Sequence, residues 1–403
     1  MTTAKRKILI IGDFACSTGF ANVNEQLALR LPPEQWDVSV IGINATGDPH
    51  PMSRKFKVFP ASLHGADQFG VARTAGIAEA VKPDLVLIHQ DSWNVWGYIE
   101  ALKKLGPELP PIIAWCPADA PNQWTVGGLM PDVNLIMAPT AFGAKELSLG
   151  GYKGRIEVLP YGIDRTLYTP GDRREARLSL GFPEHILDDV IFGRADRNAP
   201  RKRYDLTLKH FAQWWIGKGK PDNVRLLFHC ATTDPVGWNL DQLGGYYGLD
   251  VGRILLTQDD LHPGVLWPKE RVPLIYRSWD VHVSTSQGEG FGLIAGESAA
   301  CGIPQMLPDY AAYGDLFRKD GLECAAFMRC TTTYVTPNAI NTIGGVVDGG
   351  DLEWMFNHLY EDEGARKQYG RLALKAVDDP KFDWDVIAER FLHFAEEVLG
   401  GNG

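Results

Sequence analysis

A glycine-rich segment near residue 290 carries the side chains whose types and spacing most clearly suggest chemistry. Two glutamates stand in it, Glu289 and Glu297, separated by seven residues. An ionised carboxylate only accepts hydrogen bonds, so it suits adjacent hydroxyl groups of a ligand, which can donate them. Three glycines beside the glutamates leave the backbone open to a close ligand: Gly288, Gly290 and Gly292.

The same segment is predicted to open a helix over 291–301. The amides of Phe291, Gly292 and Leu293 would then lie at the helix N-terminus, where N–H groups lack partners within the helix. Glu297 would lie about one and a half turns further on. The alternative is a plain turn followed by an amphipathic helix with a surface glutamate. The small apolar residues around Glu297 indicate a packed helix, and a packed glutamate needs a partner, which favours a binding site.

A second candidate is a cluster of cations that follows a predicted strand and opens a helix. It consists of Arg194, Arg197, Arg201, Lys202 and Arg203. Doubly wound sheets bind ligands at the carboxyl ends of their strands, and a pyrophosphate is held by Arg and Lys donors. The alternative is a solvated run of charge. Since not all of these side chains can point into one site, we predict that Arg197 and Lys202 do.

A third candidate is the short segment 17–20, between the first predicted strand and the first predicted helix. Gly19 would let the backbone approach a ligand, and the start of the helix would offer N–H groups to an anion. The glycine pattern falls short of a full dinucleotide-binding fingerprint, because only Gly12 and Gly19 are present. The alternative is a simple turn from strand to helix.

Composition places the chain among ordinary globular proteins. It has 403 residues, 45 % of them hydrophobic and 22 % charged, which excludes a disordered, collagen-like or coiled-coil protein. The net charge of −10 argues against a general nucleic-acid binder, but not against a local basic pocket. The start lacks the apolar core of a signal peptide, no apolar run has the length of a membrane span, and the cysteines form no Cys-x-x-Cys pair. We therefore expect a cytoplasmic protein with reduced thiols and no integral membrane contact.

Short apolar runs alternate with longer amphipathic segments through most of the chain. Continuous runs of Val, Ile and Leu indicate strands buried on both faces, and their alternation with helices indicates a doubly wound parallel sheet. This alternation of strands and helices occurs in both halves of the chain, so we predict an α/β protein with two Rossmann-like domains facing each other across a cleft. The predicted strands are 7–12, 37–42, 84–89, 111–115 and 133–137, then 189–193, 224–229, 253–256 and 280–283.

Clusters of proline and glycine at 160–164 and 169–172 mark a predicted hinge between the two halves. We place the boundaries of the predicted parts at 1–170, 171–380 and 381–403. Beyond the second half, helices are predicted without intervening strands, at 351–360, 365–377 and 384–399. Asp383 and Asp385 have the Asp-x-Asp spacing of some metal sites, but their place at a helix start indicates a cap.

These motifs together resemble a known family. The run Glu-Gly-Phe-Gly-Leu-x-x-x-Glu starting at Glu289, followed by Cys-Gly-x-Pro, is similar to the signature of the retaining GT-B glycosyltransferases, and more narrowly of glycosyltransferase family 4. The segment 159–164 resembles the family's hinge, with Tyr161 in place of the usual Asn. The segments 138–147 and 382–388 resemble further landmarks in the same order, so the resemblance spans nearly the whole chain. The cation cluster also resembles a bacteriophage-type subgroup.

The resemblance implies a fold and a role for each matched residue. The fold would be GT-B, with an acceptor domain first, a donor domain second and a final helix returning to the first. Glu297 would bind the ribose of a nucleotide sugar, Glu289 would bind the transferred sugar, and Arg197 and Lys202 would hold the diphosphate and stabilise its charge. Further donor contacts are expected from Gly19, Thr257, Gln258, Gly290, Phe291, Gly292 and Leu293.

The match within the cation cluster is imperfect. The family usually has Gly after the lysine, whereas here Lys202 is followed by Arg203. Because of this departure, Arg201 or Arg194 could share the role of holding the diphosphate.

The acceptor side is less specific. Relatives carry a His or Asp near the reacting centre after a strand that corresponds to 111–115, and Asp119 takes that place here. Asp119 is therefore the candidate for orienting the acceptor hydroxyl or taking its proton. His89 and Asp91, at the end of the previous strand, are the other candidates, although a histidine at a strand end often only forms hydrogen bonds within the protein.

The function implied is transfer of a sugar, with retention of configuration, from a nucleotide-diphosphate sugar to an acceptor hydroxyl. UDP-sugar is the family default and GDP-sugar the second candidate. No metal or other cofactor is expected, because the nucleotide sugar is a co-substrate. The acceptor stays open between a glycan, a lipid head group, a small molecule, a protein and nucleic acid, including hydroxymethylated bases of phage DNA. The other interpretations are a GT-B epimerase or phosphorylase and a nucleotide-sugar-binding protein without transfer.

Overall fold

The computed structural model describes residues 4–63, 65, 67–123, 130–257, 268–337 and 340–401. These residues form two compact units. Unit 1 contains those up to Gly162 together with those from Pro380 onward, and unit 2 contains those from Ile163 to Asp379. The boundary falls earlier than the predicted position near 170, because the last strand of the first sheet already ends at Val158. No helix among the described residues is long and apolar enough to cross a membrane.

Unit 1 is built on a seven-stranded sheet in the order β3-β2-β1-β4-β5-β6-β7, with every neighbouring pair parallel. Its strands are β1 (Arg6–Asp13), β2 (Trp36–Ile43), β3 (Lys57–Pro60), β4 (Leu85–His89), β5 (Ile112–Trp115), β6 (Leu135–Ala138) and β7 (Arg155–Val158). The order reverses between β1 and β4. In doubly wound sheets ligands bind at such a switch point, beyond the carboxyl ends of the strands.

Helices connect the strands of unit 1 and cover the sheet. They are α1 (Gly19–Ala28), α2 (Pro51–Lys55), α3 (Val71–Val81), α4 (Ser92–Lys103) and α5 (Ala141–Leu149). The residues of β1 from Ile8 to Ile11 are all fully buried, which is the covered strand that their continuous apolar run predicted. Thr18 begins α1, because its hydroxyl accepts a hydrogen bond from the amide of Ala21 over 3.1 Å.

Unit 2 repeats the architecture with a six-stranded parallel sheet in the order β10-β9-β8-β11-β12-β15. Its strands are β8 (Val190–Arg194), β9 (Val224–Phe228), β10 (Ile254–Leu256), β11 (Val281–Val283), β12 (Gln305–Pro308) and β15 (Ala326–Met328). The order reverses between β8 and β11, so the expected ligand position lies beyond the carboxyl ends of these two strands.

The helices of unit 2 pack on this sheet around an aromatic core. They are α6 (Arg173–Ser179), α7 (Tyr204–Gly217), α8 (Leu240–Tyr246), α9 (Val272–Arg277), α10 (Leu293–Ala300), α11 (Tyr313–Phe317), α12 (Gly349–Glu361) and α13 (Glu363–Val377). The ring of Phe192 on β8 lies 4.9 Å from that of Phe356 on α12 and 6.4 Å from that of Phe211 on α7. This core fixes the two helices to the strand that leads into the cation cluster.

Two small antiparallel pairs interrupt the pattern of unit 2. They are β13 (Arg318–Lys319) with β14 (Leu322–Glu323), and β16 (Cys330–Val335) with β17 (Ile343–Val347). The sequence analysis did not predict them. Most of β16 is exposed and rich in threonine, so it lacks the continuous apolar run by which the other strands were found.

The last helix, α14 (Trp384–Leu399), belongs to unit 1. The carboxylate of Asp383 accepts the amide of Asp385 over 2.8 Å, which confirms the cap predicted for the Asp-x-Asp sequence. A Cβ atom at Gly162 would lie 2.3 Å from the ring of Trp384, so the end of the first sheet and the start of α14 meet at a position that admits only glycine.

Candidate active site

The switch point of unit 2 brings two of the predicted candidate segments together. The cation cluster follows β8 and the glycine-rich segment follows β11, and these strands pair in parallel. The backbone joins the segments directly, because the amide of Gln287 donates to the carbonyl of Arg201 over 2.9 Å. Side chains that are far apart in the sequence therefore share one edge of the sheet.

Lys202 is the residue at which the two segments meet. Its Nζ atom lies 2.5 Å from Oε1 of Glu289 and 2.9 Å from Oδ1 of Asp196. The side chain of Lys202 is only 14 % exposed, so two carboxylates hold one ammonium group in a place nearly closed to water. The hydroxyl of Ser286 also donates to Oε1 of Glu289, over 2.6 Å.

The cations around these carboxylates keep them ionised. Burial would raise the pKa of Glu289, but Lys202 and Arg201 outweigh it and hold that pKa below its usual value. Burial likewise opposes ionisation of Asp196, and Lys202 with Arg194 more than compensates, so the pKa of Asp196 is also lowered. Both carboxyls therefore carry their negative charge at neutral pH.

Arg201 is the second cation that faces Glu289. Its Nη1 atom lies 3.3 Å from Oε1 of Glu289 and also donates to the carbonyl of Gly288. The side chain is 37 % exposed, so part of the guanidinium is in contact with solvent. Arg201, one of the two alternatives named in the sequence analysis, thus lies beside Lys202 and Glu289.

Arg194, the other alternative, is fully buried, and among the residues that the structure describes its guanidinium binds only groups inside unit 2. Its guanidinium donates to Asp196 over 2.9 Å and to the hydroxyls of Thr207 and Thr285 over 2.9 and 2.7 Å. Its Cζ atom also lies 4.1 Å from the ring centre of Tyr204. These contacts tie β8 to α7 and to the segment after β11, so Arg194 positions the site.

Arg197, predicted to act with Lys202, points elsewhere. Its Nε atom pairs with Oδ2 of Asp234 over 3.1 Å, and its side chain is 66 % exposed. The geometry therefore favours Arg201 over Arg197 as the cation beside Lys202. Within an irregular loop, side-chain direction follows no period, so the sequence could not make this choice.

Glu297 lies in α10, as predicted, and is nearly buried at 8 % exposure. The hydroxyl of Tyr276 donates to its Oε2 atom over 2.8 Å. Burial raises the pKa of Glu297 to about 7, although the hydrogen bonds from Tyr276 and Tyr168 oppose the rise. The carboxyl is therefore partly protonated near neutral pH, and its charge depends on what binds to it.

The start of α10 follows the glycine-rich segment, as the spacing predicted. Gly292 precedes the helix with a φ of 92°, in the left-handed region. A Cβ atom at this position would lie 2.9 Å from the ring of Tyr313, so glycine is required. Leu293 is the first helical residue, and both Gly290 and Phe291 are buried just before it.

Thr257 follows β10 and contacts a residue that the sequence analysis missed. Its hydroxyl lies 2.6 Å from Nδ1 of His229, which follows β9. Burial lowers the pKa of His229 to about 4, so the ring is neutral. The available signal was a histidine placed directly after the apolar strand 224–228. Gln258, predicted beside Thr257, lies outside the described residues.

The switch point of unit 1 is organised by Asp13, another residue that the sequence analysis did not single out. Oδ2 of Asp13 accepts the hydroxyl of Thr18 over 2.6 Å and the amide of Asn44 over 3.2 Å. Burial raises the pKa of Asp13, and these hydrogen bonds oppose the rise. The carboxylate ties the loops after β1 and β2 together and fixes Thr18, beside which Gly19 is exposed at the start of α1.

His89 is enclosed in the same region. Its Nδ1 atom lies 2.9 Å from Oδ1 of Asn24, and its Nε2 atom lies 2.8 Å from the hydroxyl of Tyr161. The residue is fully buried, which lowers its pKa to about 3 and keeps the ring neutral. With both ring nitrogens engaged inside the protein, His89 has the environment of a structural residue.

The two acidic candidates, Asp91 and Asp119, follow neighbouring strands of the unit 1 sheet, because β4 and β5 pair in parallel. Asp91 precedes α4, Asp119 follows β5, and both are half-buried. Besides burial and the neighbouring Cys116, the charges of Asp91 and Asp119 raise the pKa of Tyr161. Both acidic residues therefore belong to the carboxyl edge of the unit 1 sheet.

Comparison with known proteins gives partial sequence matches. No family model matches the chain. A D-inositol 3-phosphate glycosyltransferase from Geodermatophilus obscurus is 33% identical over 193 residues, which is 46% of this chain and 39% of that protein. D-inositol 3-phosphate glycosyltransferase 2 from Catenulispora acidiphila is 28% identical over 256 residues, which is 58% of this chain and 57% of that protein. The chain thus matches between 39% and 57% of the length of these relatives.

Solved structures match over nearly the whole chain. Sucrose-phosphate synthase from Thermosynechococcus elongatus has a TM-score of 0.72 at 15% identity, covering 99% of this chain and 100% of that one. HepE from Anabaena, in complex with UDP-glucose, has a TM-score of 0.69 at 17% identity, covering 97% and 99%. The likenesses confirm the predicted fold, an α/β protein with two Rossmann-like domains of the GT-B type.

Proposed function

We propose that the protein is a retaining glycosyltransferase that moves a sugar from a nucleotide-diphosphate sugar to an acceptor hydroxyl. The observation that carries the proposal is the contact of Lys202 with Glu289 at the switch point of unit 2, with Arg201 beside them. Such a site combines cations for a diphosphate with a carboxylate for sugar hydroxyls. The names of the partly matching relatives support the transfer of a sugar.

In this proposal Arg201 and Lys202 stabilise the leaving nucleoside diphosphate. Negative charge develops on its phosphate as the bond to the sugar breaks, and cations already fixed in a poorly solvated site stabilise that charge without reorganisation. Arg194 and Asp196 hold the backbone and the ammonium group in place. Because the protein supplies these cations itself, the proposal requires no metal.

The ion pair seen between Lys202 and Glu289 suggests how the donor is accommodated. Hydroxyls of the transferred sugar would donate to the ionised Glu289 and so replace the contact of that carboxylate with Lys202. The ammonium group would then be available to the diphosphate, while Asp196 continues to hold it from the other side. Binding of the sugar and binding of the diphosphate would thereby favour each other.

The remaining donor contacts follow from the helix and the strand ends. Glu297 would accept the ribose hydroxyls in its ionised form, with the amides at the start of α10 close by. Thr257 and His229, which contact each other after β10 and β9, would border the nucleobase. UDP-sugar is the first candidate, in keeping with the UDP-glucose complex of the structurally similar HepE, and GDP-sugar is the second.

On the acceptor side we propose Asp119 as the residue that orients the acceptor hydroxyl or takes its proton. Asp91 is the alternative, because the two residues follow the neighbouring parallel strands β4 and β5 at the carboxyl edge of unit 1. His89 is left out of this role because it is fully buried and both its ring nitrogens have partners. Membership of glycosyltransferase family 4, and of its bacteriophage-type subgroup, is part of the proposal and depends on the motif at Glu289.

A nucleotide-sugar-binding protein without transfer is the competing function. The test is a thermal-shift screen with UDP-, GDP-, ADP- and dTDP-sugars, with release of nucleoside diphosphate followed in the same samples. A ligand well above its dissociation constant raises stability by a few kcal/mol, so one nucleotide sugar should raise the Tm clearly and be turned over. Lys202→Met should abolish both effects, whereas the control Lys218→Met, at an exposed ion pair with Glu361, should keep them. A Tm shift without release would support binding alone, and no shift in a folded sample would overturn the proposal.

A further inference from the structure

The segments that follow the strands of unit 1 share a charge property. Among the described residues, these segments are 14–18, 44–50, 61–63, 65, 67–70, 90–91, 116–123, 130–134, 139–140 and 159–162. None of them contains a lysine or an arginine. Several contain an aspartate instead, and examples are Asp48, Asp67, Asp91 and Asp119. In a doubly wound sheet these segments form the edge at which a ligand binds.

Two cations lie within three residues of these segments, Arg73 and Arg165, and Arg165 pairs with the carboxylate of Asp378 over 2.7 Å. Arg73, in the first turn of α3, donates to the carbonyl of Pro60 at the end of β3. Arg54 and Lys55 end α2 directly before β3 begins at Lys57, so the chain has by then returned to the opposite edge of the sheet. The acceptor edge of unit 1 is therefore acidic, whereas the donor site of unit 2 is rich in cations.

A phosphate, a carboxylate or a nucleic-acid backbone would be unfavourable at such an edge. Recognition of phosphate groups uses Arg and Lys as donors, and the affinity of proteins for nucleic acid comes largely from neutralising phosphates with cations. An anionic membrane surface likewise attracts basic segments. The charge pattern therefore favours an acceptor without negative charge.

The same edge presents two exposed tryptophans. Trp93 and Trp96 lie in the first turns of α4, directly after Asp91, and are 40% and 48% exposed. Residues three apart on a helix are neighbours on its surface, so the two rings belong to one patch. The ring of Phe69 packs edge-on against Trp93, with 6.3 Å between centroids, and fixes its position.

Polar side chains next to the tryptophans in the sequence hold the start of α4 in place, and Gln90 and Ser92 among them are buried. The amide of Asn94 donates to Gln90 over 3.2 Å, and the hydroxyl of Ser92 donates to Gln123 over 3.0 Å. The latter bond links the start of α4 to the segment after β5, which also carries Asp119. Aromatic faces next to amides and carboxylates match a molecule that has both apolar C–H faces and hydroxyl groups.

We propose that the acceptor is an uncharged carbohydrate that stacks on Trp93 and Trp96 and presents its hydroxyl to Asp119 or Asp91. This inference rests on the proposed function and specifies its acceptor. It argues against phosphorylated sugars and phosphorylated inositol as acceptors, and against hydroxymethylated DNA. The tryptophans bind the acceptor and take no part in the chemical step.

The experiment compares uncharged and charged acceptors with the wild-type protein and three variants. The uncharged panel is maltotriose, cellotriose and chitotriose, and the charged panel is glucose 6-phosphate, inositol 3-phosphate and a duplex with hydroxymethylated cytosine. The variants are Trp93→Ala, Trp96→Ala and the control Trp354→Ala, which removes a tryptophan of unit 2 that is 59% exposed. Acceptor binding without donor, acceptor KM and acceptor-independent release of nucleoside diphosphate are measured for each.

We expect a member of the uncharged panel to bind and to be glycosylated, with little dependence on salt. Trp93→Ala and Trp96→Ala should each weaken acceptor binding and raise the acceptor KM roughly tenfold. Trp354→Ala should behave as wild type. Preference for a charged acceptor, no binding of the uncharged panel, or equal acceptor binding by all the variants would overturn the inference. A wild-type protein that binds the carbohydrate but never releases nucleoside diphosphate would instead contradict the proposed transfer and leave the acceptor assignment standing.

Discussion

The hydroxyl of Tyr161 lies 2.8 Å from Nε2 of His89, while Nδ1 of that histidine lies 2.9 Å from Oδ1 of Asn24. Tyr161 stands where the hinge motif of the resembling family usually has asparagine. The longer side chain reaches the end of β4 and completes the hydrogen bonds of a fully buried imidazole. The residue that departs from the motif therefore provides a hydrogen-bond partner for the buried histidine at the end of β4.

The first prediction concerns this pair. Tyr161→Phe removes the hydroxyl and leaves Nε2 of His89 buried without a partner, so we expect the free energy of unfolding to fall by about 1–3 kcal/mol. Urea denaturation measures the loss. Tyr246→Phe, at a tyrosine that is 81% exposed, should stay within about 0.5 kcal/mol of wild type. Donor affinity should not change, so a stable Tyr161→Phe variant that no longer binds donor would show that Tyr161 belongs to the binding site.

The architecture could be predicted from the sequence because its strands are covered on both faces. Runs such as Ile8–Ile11 are apolar without interruption, and their alternation with helices leaves few topologies open. The hairpin of β16 and β17 could not be found in this way, because β16 exposes a threonine-rich face. The predicted cap at Asp383 was found because capping depends on a local sequence pattern.

The candidate site was predictable only where a motif fixes the direction of a side chain. Glu297 could be placed because a helix sets its position relative to the glycine-rich turn. The choice between Arg197 and Arg201 depends on an irregular loop, and the contact of Asp196 with Lys202 depends on the turn within it. His229 was missed because its partner Thr257 belongs to another strand, a relation that appears only after folding.

A second prediction concerns the ammonium group of Lys202. Lys202→Met removes one of two cations from each of the buried carboxylates Glu289 and Asp196, which keep Arg201 and Arg194, so we expect a loss of about 1–3 kcal/mol in unfolding free energy at neutral pH. In wild type the pKa values of both carboxyls are lower in the folded protein than in the unfolded chain. They therefore stabilise the fold at a pH above the unfolded-state pKa, and this stabilisation is lost as the pH falls through the folded-state pKa. The difference between variant and wild type should therefore shrink in acid.

Urea denaturation of both proteins at neutral and acidic pH checks this expectation. Lys218→Met is the matched control, because the ion pair of Lys218 with Glu361 is exposed and should contribute less than about 1 kcal/mol. A Lys202→Met variant whose loss of unfolding free energy stays constant with pH would show that the loss arises from packing and not from the missing charge beside the two carboxylates.

A third prediction separates the two arginines of the cation cluster. Arg201→Ala should raise the donor KM about tenfold or more, because its guanidinium lies beside Glu289 and faces the proposed diphosphate. Arg197→Ala removes an exposed side chain paired with Asp234 and should change the donor KM less than about threefold. Steady-state kinetics with a fixed acceptor measures both. A larger increase in donor KM for Arg197→Ala than for Arg201→Ala would support Arg197 as the cation beside Lys202, as the sequence analysis predicted.

A fourth prediction follows from the pKa of Glu297, which burial raises above its usual range to about 7. With rising pH the unfolded chain releases the proton of Glu297 before the folded protein does. The contribution of Glu297 to stability is therefore fully present below its pKa in the unfolded chain and is lost as the pH rises through about 7. Glu297→Gln should remove this fall. Denaturation over that pH range tests it, and an unchanged pH profile in the variant would contradict it.

The same carboxyl should make the affinity for the donor depend on pH in the opposite direction. Ribose hydroxyls donate to the ionised form, so wild-type affinity should increase as the pH rises through about 7. Glu297→Gln should bind donor more weakly and with a flat pH dependence. Calorimetric titration with the nucleotide sugar at several pH values measures this, and an affinity that falls with rising pH would show that the protonated acid is the binding form.

The last prediction distinguishes binding of the donor from the chemical step. Asp119→Asn keeps the size of the side chain but removes its basic oxygen, so the kcat of transfer should fall about a hundredfold or more, as for the loss of a general base. The KM for the donor and the Tm shift that it causes should stay as in wild type, because Asp119 lies in unit 1 and the proposed donor contacts lie mainly in unit 2. Asp91→Asn is the matched comparison, since Asp91 follows the neighbouring strand β4 and precedes α4. A larger loss of kcat in Asp91→Asn would transfer the role to that residue, and unchanged kcat in both variants would mean that the acceptor proton leaves by another route.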